Sequence, residues 1–71
     1  MTIQEGIERL AEINCANTFI DIGDELKNER QNIVNFLNDM KVIELDKKGF
    51  RFIGNDSDNN KKIYLDMFEN F

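Results

Sequence analysis

Apolar residues recur at helical spacing as far as Met40 and alternate after it, and this change of period constrains the fold more than any other feature. Ile3, Ile7, Leu10 and Ile13 mark one stripe, and Ile33, Phe36, Leu37 and Met40 mark another. Beyond them the chain reads Val42-Ile43-Glu44-Leu45, a polar Asp46-Lys47-Lys48-Gly49, then Phe50-Arg51-Phe52-Ile53. Gly49 can supply the positive φ that a short hairpin loop requires. An α+β domain follows, with helices first and a β-hairpin over residues 42–53.

Nothing covalent helps this fold. The 71 residues contain one cysteine, Cys15, so no internal disulfide forms, and a domain this small buries only about 60% of its unfolded surface. The apolar supply is sufficient for one core: nine Ile, six Phe, five Leu, three Met and two Val. No segment of linker composition interrupts it. One domain over residues 1–71 is expected. The missing disulfide, an acidic N-terminal segment and the lack of any apolar run near 18 residues point to the cytoplasm and away from membranes. Without histidine, and with a single cysteine, the usual general bases and metal ligands are scarce, so neither catalysis nor a cofactor is expected. The run Asp56-Ser57-Asp58-Asn59-Asn60 begins like a calcium loop, but Lys61 stands where the loop needs Gly and Met67 where it needs Glu. It reads as a solvated turn between two strands, and no metal site is expected.

Element boundaries come from local signals. Thr2 with Glu5 three residues later forms a capping-box pattern, which predicts a first helix over 2–14, broken by residues 14–18. Phe19-Ile20-Asp21-Ile22 could be a short extended segment. Asp21 or Gly23 then starts a short second helix to about Asn28, and a third helix covers 29–41. Leu10, Leu26, Ile33, Leu37, Met40 and Ile43 are the expected core. Residues 61–71 fit a third strand, with Ile63, Leu65 and Met67 alternating, or a short helix, with Tyr64, Phe68 and Phe71 on one side.

The formal charge is −5, which disfavours generic affinity for phosphate, but it is distributed unevenly. Residues 1–26 carry −5, residues 27–62 carry +2 and residues 63–71 carry −2. Within the positive middle, Gln31, Asn32, Asn35 and Asn38 give the third helix a row of carboxamides, groups that can both donate to and accept from the adenine edge. Lys27 and Arg30 flank the helix junction. Lys47, Lys48 and Arg51 lie on the hairpin, where they could neutralise phosphates or merely solubilise its tip.

Residues 19–54, FIDIGDELKNERQNIVNFLNDMKVIELDKKGFRFIG, resemble the core of the winged helix-turn-helix family, most of all its small prokaryotic and phage regulators. The echo lies in a short IGDELKN helix, a recognition-like ERQNIVNFLNDM and KVIEL leading into a wing, with Lys41 where the family often has Gly. The resemblance implies a DNA-binding transcriptional regulator. In it, helix 29–41 would enter the major groove of double-stranded DNA, the hairpin would touch the backbone, and a homodimer would read paired half-sites. A second reading is a winged-helix module that binds a protein partner through its acidic surface. The position of Glu5, Glu8, Glu12, Asp24 and Glu25 separates the two. Acids away from the third helix favour DNA, and acids bordering it favour protein.

Overall fold

The computed structural model describes residues 1–69 and is an α+β arrangement of three helices and one two-stranded antiparallel hairpin. Helix α1 covers Ile3–Phe19, α2 Asp24–Asp39, strands β1 and β2 Ile43–Asp46 and Gly49–Phe52, and α3 Ser57–Glu69. Among the described residues no helix is long and apolar enough to cross a membrane.

The capping box forms as expected. The Glu5 N–H donates to the Thr2 hydroxyl at 3.1 Å, and the Thr2 N–H donates to the Glu5 carboxylate at 2.9 Å. This contact holds the Glu5 carboxyl below its ordinary pKa. The helix does not break at residues 14–18, however, but runs on to Phe19. Cys15 is buried and Ala16 packs against the core, so the stripe continues, while the Thr18 hydroxyl donates back to the Asn14 carbonyl at 3.0 Å. No strand forms at Phe19-Ile20-Asp21-Ile22; these residues end α1 and begin the connector, in which Ile22 is buried.

The largest correction concerns the expected helix pair, because residues 24–39 form one uninterrupted helix of 16 residues and no turn separates a second helix from a third. The physical reason is visible in the side chains. Leu26 and Ile33 are seven residues apart and Ile33 and Leu37 four, so a single stripe crosses Asn28-Glu29, with neither Gly nor Pro to interrupt it. Arg9 of α1 also fixes the supposed junction by a two-pronged grip on Glu29, its Nε donating at 2.6 Å and its Nη2 at 3.0 Å.

Helix α2 ends in a Schellman motif: the Val42 N–H donates to the Leu37 carbonyl and the Lys41 N–H to the Asn38 carbonyl, each at 3.0 Å. Lys41 takes the left-handed conformation, φ 60°, that glycine usually fills. Met40, expected in the core, is turned out with 52% exposure, and Val42 packs inside instead. Leu10, Ile33, Leu37 and Ile43 are buried as expected, whereas Leu26 is only half-buried.

The hairpin pairs Ile43 with Phe52, Glu44 with Arg51, Leu45 with Phe50 and Asp46 with Gly49. Ile53 adds an N–H bond to the Val42 carbonyl at 2.9 Å, so pairing extends over 42–53. At the loop, Gly49 has φ 127° and the Asp46 carboxylate accepts the Lys48 N–H at 2.8 Å. Of the two alternatives for the C-terminal segment the helix is realised. It starts earlier than expected, taking in most of the polar run read as a turn: Asp56 stands just before α3, and its carbonyl accepts the Asn60 N–H at 2.8 Å. Tyr64 and Phe68 face α1, where Asn14 donates to the Tyr64 hydroxyl at 2.9 Å. Burial and the coupling to Cys15 act to raise the Tyr64 pKa, burial more strongly, and this outweighs the lowering by the Asn14 bond. Phe71, the third member of that expected side, lies outside the described residues.

Candidate functional site

The two faces of the hairpin differ in kind. Glu44, Asp46 and Arg51 share the outer face, and Arg51 donates to Glu44 at 2.9 Å, a bond that raises the pKa of the guanidinium. Ile43, Leu45, Phe50 and Phe52 share the inner face. Burial falls steeply along it, from 1% exposure at Ile43 to 50% at Leu45, because the strands leave the core as they approach the loop.

The space under this overhanging part is an open groove of about 780 Å³. Leu45, Phe50 and Phe52 form one wall, Arg30 and Val34 of α2 a second, and Ser57, Asp58, Lys61, Tyr64 and Leu65 of α3 a third. Leu10 and Asn14 of α1 lie at its floor. Phe50 and Phe52 meet edge to face at 5.6 Å, and Phe50 meets Tyr64 at the same distance and 82°. The rings therefore lock one another, and the exposed leucines Leu45 and Leu65 supply much of the free apolar surface.

Cations rim this groove. Arg30, Lys48, Arg51 and Lys61 line it, against Asp58 as the acid among the lining residues. Arg51 is engaged by Glu44, whereas Arg30, Lys48 and Lys61 have no carboxylate within 4.0 Å among the described residues. On a chain of net charge −5, such a local surplus is the opposite of the average.

The residues expected to contact DNA are divided by this geometry. Arg30, Lys48 and Arg51 come together at the groove. Gln31, Asn35 and Asn38 lie on the outward side of α2, and Gln31 donates to Asn35 at 3.0 Å, so two of the carboxamides are bonded to each other. Asn32 is exposed but stands about 60° around the helix from Asn35. Lys27 is exposed with Asp21 at 4.0 Å, and Lys47 is exposed at the hairpin loop.

The acids also divide. Glu5, Glu8 and Glu12 belong to α1, where Glu12 shares Arg9 with Glu29, and that guanidinium lowers the Glu29 pKa. Asp24 and Glu25 belong to the same helix as the carboxamides. Asp24 is in line with Gln31 and Asn35, and Asp39 follows Asn35 by four residues, so a carboxylate stands at each end of that side. Sequence reasoning missed the groove, whose walls lie far apart in the chain; the alternation of Leu45, Phe50 and Phe52 was its one local signal. No family model, curated protein or solved structure matches this chain.

Proposed function

We propose that this domain is a non-catalytic binding module that recognises another protein through the groove between the hairpin and the helices. The observation that carries the reading is the pairing of exposed aliphatic side chains, Leu45 and Leu65, with Arg30, Lys48 and Lys61, cations that have no carboxylate within 4.0 Å among the described residues, at one concave site. Leucines gain by meeting apolar side chains, which the edges and phosphates of nucleic acid do not offer in quantity. The chain has no histidine, and a groove walled by apolar and cationic groups suits binding better than proton transfer. The layout of three helices and a hairpin is compatible with a winged-helix-like scaffold in which the wing serves a protein contact.

Duplex binding through α2 is less favoured. Asp24 and Asp39 would approach phosphates at both ends of the carboxamide row, and Arg30 lines the groove beside Val34, away from that row. The two readings separate in one pair of measurements on the full chain. A random peptide library selected on the immobilised protein yields enriched sequences that Leu65→Asp no longer binds, while labelled duplex DNA shows no salt-dependent anisotropy change. Salt-dependent duplex binding that Lys47→Ala with Lys48→Ala weakens, together with no peptide enrichment, would restore the regulator reading.

A further inference from the structure

We infer that the occupant of the groove is an acidic amphipathic helix of a partner protein, an inference that rests on the protein-binding reading and specifies its chemistry. Leu45, Phe50 and Phe52 share the hairpin face turned to the groove, so much of what a partner meets there is apolar side-chain surface. A helix satisfies its own backbone and offers a stripe of apolar side chains, which is what such walls accept.

The sign of the partner follows from the rim. Arg30 comes from α2, Lys48 from the hairpin loop and Lys61 from α3, so three separate elements each bring a cation to the groove, with Asp58 as the acid among the lining residues. Carboxylates flanking the apolar stripe of a bound helix would meet these cations. The residues outside the groove carry a net negative charge, which disfavours an acidic partner there and so favours the groove. A basic helix, by contrast, would be drawn to the outer surface and not to the groove.

Three synthetic peptides of equal length test this on the full chain by fluorescence anisotropy. One carries leucines at i, i+3, i+4 and i+7 with glutamates between them, one replaces the glutamates by lysines, and one scrambles the first. The glutamate peptide binds and added salt weakens it; the lysine peptide is weaker by about tenfold, the loss of three exposed ion pairs of ordinary strength, and the scrambled peptide, which keeps the charge but not the apolar stripe, is weaker as well. Arg30→Glu with Lys48→Glu and Lys61→Glu reverses the preference toward the lysine peptide. Lys61→Glu alone moves it in the same direction, which covers the case in which the triple variant does not fold. Equal binding of the glutamate and lysine peptides, or library-selected peptides that are basic or extended, overturns the acidic helix and leaves the protein-binding reading standing. A groove occupied by a second copy of the chain, seen as a Leu65→Asp-sensitive dimer in sedimentation, also overturns it.

Discussion

The aliphatic side of the domain and the aromatic side are built to different standards. Ile7, Leu10, Ile13, Ile33, Leu37 and Ile43 are sealed where α1, α2 and the base of the hairpin meet. Phe50, Phe52, Tyr64 and Phe68 are a second cluster, half-exposed and joined ring to ring, with centroid distances from 5.6 to 6.0 Å. The first cluster is closed, and of these residues only Leu10 reaches the groove, at its floor. The second packs against the first through Phe50, Phe52 and Tyr64 and also reaches the groove with part of its surface unsatisfied, so recognition draws mainly on side chains that the core only half covers.

Substitutions can break or sharpen this contrast. Leu37→Ala, in the sealed half, should lose about 2–5 kcal/mol in urea melts, a large share of the stability of so small a domain; a loss below 1 kcal/mol would mean the site is not close-packed. On the aromatic side, Tyr64→Phe keeps the ring and removes only the acceptor for Asn14, so the expected loss is about 0.5–1.5 kcal/mol. Lys41→Gly should raise stability by about 0.5–1 kcal/mol, because relief of the left-handed strain exceeds the added entropy of the unfolded chain. A decrease on melting would show that Lys41 makes a contact that outweighs its conformation.

Acid should act on the α1–α2 seam. Arg9 lowers the pKa of Glu29 in the folded state, so the stabilisation is complete above the ordinary carboxylate range and is lost as pH falls through the lowered value. Glu29→Gln should therefore flatten the acid limb of a stability–pH curve, and an unchanged limb would assign that limb to other carboxylates. The smallest effect on folding belongs to Leu65→Ser. At 42% exposure it should stay within about 0.5 kcal/mol of the parent in melts while weakening the glutamate peptide, and a large melt shift would place Leu65 in the core.

Local chemistry made some of this legible in the sequence. Thr2 with Glu5 and Gly49 after two lysines are signals that act within a few residues, and the cap and the hairpin formed where they stand. The continuity of α2 was harder to read, because Asn28 and the acids near Asp24 imitate a junction that only the Leu26–Ile33 register and the reach of Arg9 from α1 override. The form of the segment from residue 61 onward depended on packing: either period was open until Asn14 and Cys15 of α1 provided partners for Tyr64 and the Phe68 carbonyl. Read from the sequence, Arg30 and Lys48 are expected DNA contacts. Their meeting with Lys61 around an apolar groove needed the tertiary fold.

The graded burial of the hairpin has a dynamic consequence. With its root anchored by Ile43 and the Ile53–Val42 bond, its middle by the Phe50–Tyr64 contact, and its loop beyond Phe50 by the Asp46 turn, the hairpin is a cantilever. Amide hydrogens near the root should exchange with solvent only when the whole domain opens, and those near Lys48 through small local excursions. The loop at Lys47 and Lys48 can thus adjust to what enters the groove while the ring contacts of Phe50 hold the wall behind it and the aliphatic half stays closed, so adaptability at the site costs the domain little of its cooperativity.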